Sequence, residues 1–304
     1  MSTCPGALME EVADGAFAYV QPHGGWCVNN CGILVGRDGT VLIDTVATRP
    51  RAARLAAQVA MMSPGPVRTI VNTHHHGDHT FGNCAFDPSV TVVAHELATA
   101  EMLDAGLGLT GLWPAVDWGE IRLVPPTMTF SERLTLYVDQ RRVELHHVGP
   151  AHTTNDVVAW LPDERVLFAG DVVMSGCTPF VLMGSVSGSL SALRRLRELN
   201  PATVVSGHGP VSGPEVLDAT ENYLRELSRI ADAGLAAGMS PLEAARTADL
   251  GDLAGLRDSE RIVGNLHRAY AERRGAPPGA ALDVPAVFQE MVAYNDGVLP
   301  ECLA

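Results

Sequence analysis

The stretch "NTHHHGDHTFGN" (residues 72–83) carries four histidines and an aspartate beside two glycines. Adjacent imidazoles have no packing advantage, and a buried ionised aspartate is costly unless something compensates its charge. The stretch is therefore either a solvated polar loop or half of a metal site. Its polar residues run His74-x-His76-x-Asp78-His79. Three residues of the same chemistry follow far downstream, each just past a predicted strand: His152 in "GPAHTTND", Asp171 in "FAGDVV" and His208 in "SGHGP". Glycines flank several of them, which lets the backbone turn tightly so that side chains converge.

Five histidines and two aspartates suffice for two metal sites of three protein ligands each and one bridging carboxylate. The assignment expected is His74, His76 and His152 for one site, Asp78, His79 and His208 for the other, and Asp171 between them. Imidazole and carboxylate donors without thiolate suit Zn²⁺, with Fe and Mn open. Three protein ligands per metal leave room for water, the mark of a catalytic site. The expectation is two Zn²⁺ per chain. Metal coordination lowers the pKa of water from ~15.7 to about 7, so a metal-bound hydroxide can attack a carbonyl at neutral pH. Asp78 and His152 are the candidate catalytic residues.

Composition narrows the partners. A chain of 304 residues, 46% apolar, has material for a substantial core. Its formal net charge of −14 repels phosphate backbones, which excludes nucleic acid as the expected partner. All 21 basic residues are Arg, so no Lys is present to act as base or Schiff-base former. "MSTCPGALMEE" lacks the basic start and apolar core of a signal peptide, and no apolar run reaches the length of a membrane span; a cytoplasmic protein is expected. The six cysteines, Cys4, Cys27, Cys31, Cys84, Cys177 and Cys302, form no CxxC pair and read as reduced thiols.

Up to about residue 210 the chain alternates strand-like and helix-like pieces. Strands are predicted at 16–20, 32–36, 40–44, 67–73, 91–94, 134–139, 141–149, 156–162, 165–171 and 202–210. Helices are predicted at 49–62, 95–106 and 187–199. Residues 107–127, rich in Gly, Pro and Trp, read as a loop over a pocket. The remainder is helical: 214–237, a start at "SPLE" (240–243) with Ser240 as cap, a helix marked by Ile262, Leu266 and Tyr270, and 284–295. The chain thus divides into a catalytic domain over 1–210 and a helical C-terminal extension over 211–304, packed on it, lining one side of the pocket, or forming a homo-oligomer interface. The extension carries no metal-ligand cluster.

With these motifs in order, "HHHGDHTFGN", "GPAHTTND", "FAGD" and "GHG", together with "TVLIDT" upstream, the chain resembles the metallo-β-lactamase superfamily over roughly residues 8–210. The resemblance implies an α/β fold, an αβ/βα sandwich of two mixed sheets with outer helices and the metal site at one edge. It also implies that Asp44 supports the site from behind the ligands. Asp171 stands where β-lactamases of the common zinc class have Cys. That departure favours the glyoxalase, lactonase, thioesterase and phosphodiesterase branches, and an iron-dependent sulfur dioxygenase stays open. "GGWCVNNCGILVGRDGTVLIDTVATRPRA" (24–52) resembles the zinc-dependent second-ring cyclases of bacterial aromatic polyketide pathways. This resemblance implies ring closure combined with release from a carrier thioester.

The segment "QPHGGWCVNN" (21–30) would overhang the metals in such a fold. Trp26, Trp113, Trp118 and Phe180 then either wall the pocket or pack inside; a wall implies an apolar or aromatic carbonyl or thioester substrate, borne by an acyl carrier in the polyketide case. His75 is expected behind the ligands or at the surface, His23 at the surface, and His146 and His147 in structural roles. His95 and His267 read as ordinary helix residues. Thr153 is placed to hydrogen-bond the ligand beside it, and Arg194, Arg195 and Arg197 form a solvated helix face. A non-enzymatic binding protein is the competing reading, and the complete ligand set weighs against it.

Overall fold

The computed structural model describes residues 6–22 and 24–304; His23, Cys4 and the first residues of the leader reading lie outside the described residues. Strands β1 (Leu8–Ala13), β2 (Ala16–Val20), β3 (Cys31–Val35) and β4 (Thr40–Ile43) pair antiparallel in sequence. Helix α1 (Arg49–Met62) then crosses to β5 (Val67–Val71), parallel to β4. Thr48 caps α1 through the amide of Arg51, and Pro50 pre-sets its first turn. A short helix α2 (Gly77–Thr80) carries the second half of the histidine motif, and β6 (Thr91–His95), α3 (Glu96–Ala105), α4 (Leu109–Leu112) and β7 (Met128–Phe130) complete a seven-stranded sheet in the order β1 to β7.

The second sheet has five strands, β8 (Arg133–Val138), β9 (Arg141–His147), β10 (Val157–Leu161), β11 (Val166–Met174) and β12 (Thr203–His208), in the order 12-11-10-9-8. Helix α5 (Val186–Glu198) crosses between β11 and β12, which run parallel. Four helices follow: α6 (Glu215–Ala236), α7 (Pro241–Thr247), α8 (Arg261–Arg273) and α9 (Val284–Tyr294). The capping box expected at Ser240 and Glu243 starts α7.

Alternation along the strands builds three apolar layers. Val20, Leu34, Ile43 and Val71 meet Leu145, Leu161, Phe168 and Val205 between the sheets. Ile33, Leu42 and Ile70 face outward onto Leu55 and Val59 of α1. Leu167, Ala169 and Val204 face outward onto α5, α6 and α8 through Leu193, Leu224 and Leu266. Each such side chain contributes roughly 1.5–3 kcal/mol on burial. The sheets approach so closely at Gly32 that a Cβ there would lie 2.7 Å from the Phe168 ring. The architecture is the expected αβ/βα sandwich, with helical packing continuing over α6–α9.

Two strands escaped the sequence reading. The outward edge strand β1 contains Glu10 and Glu11 and buries no residue fully, and β7 has only three residues. His95 ends β6 rather than lying in a helix, and its ring stacks on His147 at 3.8 Å. No helix among the described residues is long and apolar enough to cross a membrane.

Candidate metal centre

The seven predicted ligands come from different segments and converge at one edge of the sandwich. His74 and His76 follow β5, Asp78 and His79 sit on α2, His152 lies between β9 and β10, Asp171 is within β11, and His208 ends β12. Three groups have donor atoms within 4.8 Å of one another: His74, His76 and His152; Asp78, His79 and His208; and His74, His79 and Asp171. The first two are the residue groups expected to form the two sites. Asp171 touches both, with Oδ2 3.5 Å from His152 Nε2 and 3.3 Å from His208 Nε2, and Oδ1 3.1 Å from His79 Nε2. Gly207 makes this possible, because a Cβ there would sit 1.9 Å from Asp171 Oδ1.

The atoms behind the rings decide which nitrogen faces inward. His79 Nδ1 donates to Asp44 Oδ2 (2.9 Å), His152 Nδ1 to Phe180 O (2.5 Å) and His208 Nδ1 to Gly25 O (3.1 Å). These oxygens only accept, so each Nε2 presents a lone pair. Thr73 Oγ1 spends its proton on Asp44 Oδ2 (2.8 Å), so His74 Nδ1 donates to Thr73 Oγ1 (3.0 Å) and its Nε2 is free as well. Asp44 is thus the support the resemblance implied. It also accepts the Thr73 amide (2.7 Å), and it holds a left-handed φ of 62° that aspartate tolerates better than most residues.

This donor set fits divalent metal. His74 Nε2, His79 Nε2 and Asp171 Oδ1 are buried and have no hydrogen-bond partner. A lone pair of His79 and a carboxylate oxygen 3.1 Å apart are a pair of donors that one divalent cation would satisfy together. Three carboxylates, Asp44, Asp78 and Asp171, are at least nine-tenths buried, a cost that a divalent ion offsets. The protein's charges make the two halves unlike. Burial lowers the pKa of His74 and His76. At His208 burial is overcome by Asp171 and Asp78, and the imidazole is pushed up to about 9. His79 is raised likewise, against burial, by Asp171 and Asp44. Asp78 and Asp171 are held low despite burial by His79 and His208.

A cavity of about 790 Å³ opens from the cluster. Of the four aromatic residues left open between wall and interior, Trp26 and Phe180 line it, as do Gly108, Leu109 and Leu112 from the Gly-rich stretch. Trp113 and Trp118 instead pack behind: Trp113 buttresses Trp26 at 5.5 Å between ring centres, and Trp118 packs on Phe81. Residues 300–303 brace this wall from outside. Trp113 Nε1 donates to Pro300 O (2.7 Å), Cys302 pairs with Trp26 through a parallel β-bridge, and Arg51 donates to Leu303 O.

The other histidine expectations divide. His75 is buried and lines the cavity, 3.0 Å from Asn155 Nδ2 and 3.4 Å from Glu101 Oε2. His146 pairs with Glu144, and His267, on α8, pairs with Glu290. Thr153 does not bond the ligand beside it. Its hydroxyl donates to Asp156 Oδ1 (2.7 Å), and Asp156 also accepts the amides of Ala151 and Thr153. Asp156 therefore fixes the turn that aims His152, a role that the "HTTND" spacing of donors around an acid was able to signal. The helical tail lines one side of the cavity, one of the places expected for it, with Arg261, Arg268 and Phe288. The available signal was two arginines seven residues apart, hence on one face of a helix.

Known proteins give the same frame. The family model described as the metallo-beta-lactamase superfamily matches residues 24–208. The 2,4-dinitroanisole O-demethylase subunit alpha of Nocardioides sp. (strain JS1661) is 33% identical, over 58% of this chain and 51% of that protein. The hydroxyacylglutathione hydrolase of Rhodospirillum rubrum is 27% identical, over 56% of this chain and 60% of that protein. The chain thus spans about half the length of the curated relatives it matches. A solved metallo-beta-lactamase from Pontibacter korlensis, 23% identical, superposes with a TM-score of 0.59 over 72% of this chain and 99% of that one, a likeness of fold. Family model, ligand edge and sandwich agree, and the chain belongs to the metallo-β-lactamase superfamily.

Proposed function

We propose that this chain is a metal-dependent hydrolase that acts on the carbonyl of an apolar or aromatic thioester, with two Zn²⁺ per chain. Its specific role in this reading is that of a second-ring cyclase and thioesterase in aromatic polyketide biosynthesis. The observation that carries the reading is the aromatic cavity that ends at the seven-residue cluster: Trp26, Phe81, Phe180 and Phe288 line it together with His76, Asp78, His152 and Asp171. The similarity to a hydroxyacylglutathione hydrolase supports thioester chemistry.

Metal held here lowers the pKa of water and polarises a carbonyl oxygen. The chain's own groups do the rest. Asp44 locks His79 and, through Thr73, His74, so neither ring reorganises during reaction. Asp78, with Oδ2 3.3 Å from His208 Nε2, lines the cavity and is placed to accept a proton from the nucleophile or from an acidic C–H beside the carbonyl. The aromatic edges of Trp26, Phe180 and Phe288 exclude water and hold a flat substrate against the cluster. The substrate is a small molecule, free or borne by an acyl carrier, and the protein acts in the cytoplasm without nucleic acid.

The test pairs metal analysis with turnover of an aromatic polyketide thioester. Two zinc per chain and release of free thiol are expected, with chelation abolishing release and Zn²⁺ restoring it. Metal-loaded protein that neither cyclises nor releases the thioester refutes the reading.

A further inference from the structure

Two arginines of α8 line the cavity, Arg261 and Arg268, and both are almost fully buried. They differ in how their charge is met. Arg261 pairs with Asp258 (3.0 Å), donates to Thr178 O (3.1 Å), and lies 4.2 Å from the Trp26 ring centre. Arg268 gives Nε and Nη2 to Leu182 O (3.0 and 2.7 Å) and Nη2 to Ala280 O (2.6 Å). Its Nη1 has no hydrogen-bond partner. The carboxylate one turn further on, Glu272, is engaged elsewhere and accepts the amides of Val186 (2.8 Å) and Ser187 (3.2 Å) at the start of α5. Carbonyl dipoles therefore hold the Arg268 guanidinium in place, and no carboxylate of the described residues forms an ion pair with it.

Glu272 favours the charged form of Arg268 only through space, and a buried cation without a carboxylate in direct contact is expensive. Arg268 holds this position on the same cavity as the metal cluster. Arg261 marks the near end: its Nη1 is 3.1 Å from Met174 Sδ, and Met174 pairs in register with His208. Arg268 lies two helical turns further along α8, roughly 10 Å. The lining is mostly apolar. The acids Asp104 and Asp283 lie at solvent-exposed positions, where water screens them, and the half-buried Glu101 accepts hydrogen bonds from Thr154 Oγ1 and Asn155 Nδ2.

We propose that Arg268 is an anion subsite that receives a carboxylate, or an oxyanion of like charge, carried by an apolar substrate whose reacting carbonyl sits at the metal cluster. The inference rests on the carbonyl-substrate reading above and narrows it to amphiphilic anions about two rings long. Guanidinium is suited to this task because its planar fork matches a carboxylate and stays charged on burial.

The experiment uses 2-naphthoate and its neutral isostere 2-naphthamide, titrated into the zinc-loaded protein by calorimetry. Wild type is expected to bind the naphthoate about tenfold to a hundredfold more tightly, the scale of one charged hydrogen-bonded contact. Arg268→Gln is expected to erase the preference and leave the naphthamide Kd unchanged. Arg268→Lys, which keeps the charge but loses the fork, is expected to retain only part of the preference; if the Gln variant misfolds, a Lys variant with the full wild-type preference overturns the subsite. A preference that persists in Arg268→Gln places the carboxylate on the metals and overturns the subsite. Equal affinities in wild type overturn it too, with the apolar-cavity reading intact. Failure of both ligands to bind overturns that reading as well.

Discussion

At the metal edge, four of the five histidines have a nitrogen donating to an oxygen behind the ring, so orientation comes from hydrogen bonds between strand ends and loops. Across the cavity, the wall made by Trp26, Phe180 and Phe288 is held by edge-on ring contacts, with centres 5.3 and 6.4 Å from that of Trp26, and by helices packed on a sheet face. The first region is specified by direction and the second by volume. Substitution at the edge should therefore abolish chemistry while the fold is kept, whereas substitution in the wall should alter which molecule is accepted.

The sharpest break of this contrast is Asp171→Ala. It removes the carboxylate shared by the two halves of the cluster, and thioester turnover should fall by at least about 10³-fold, on the scale of the several kcal/mol that a metal centre supplies. Elemental analysis should show lost metal while the circular dichroism spectrum stays that of wild type.

The next effect is on stability and concerns His75, which burial first and His152 second hold down at about 4. The unfolded chain takes up this proton near pH 6.5, ahead of the folded one. Its contribution is therefore complete above about pH 6.5 and is lost as pH falls toward 4. The loss is on the order of 3 kcal/mol. Denaturant melts of the metal-loaded protein should show this slope, and His75→Gln should flatten it.

A smaller change is expected from Asp44→Asn. The amide disturbs the oxygens that fix His79 and Thr73, and zinc affinity should weaken about 10- to 100-fold by competition with a chelator. The wall should give the mildest result. Phe288→Ala should raise KM about tenfold, near 1.5 kcal/mol of lost apolar contact, with zinc content unchanged. Loss of zinc in that variant would erase the distinction between the regions.

The same contrast explains what was legible beforehand. His, Asp and Gly at strand ends have few reasons to cluster other than chemistry, so the seven cluster residues and the element order around them stood out in the text. Helix α1 also falls at the predicted residues 49–62, because Thr48, Pro50 and the spacing of Leu55 and Val59 agree locally. The wall was hidden. Phe288 and Met291 look like the core of any amphipathic helix, and only tertiary packing decides that Phe288 faces a cavity. Trp113 and Trp118 show the converse, since aromatic residues in a loop beside the site turned out to be support. Arg268 reads as one more basic residue until the partners around it are counted.

The strap of residues 300–303 ties Trp113, Trp26 and Arg51 together from outside the cavity. Selectivity for the guest molecule thus depends on a segment that never meets it. Trimming or tagging that segment would loosen the fit of the cavity while the cluster of histidines and aspartates stayed intact, so that a wider range of guests would enter.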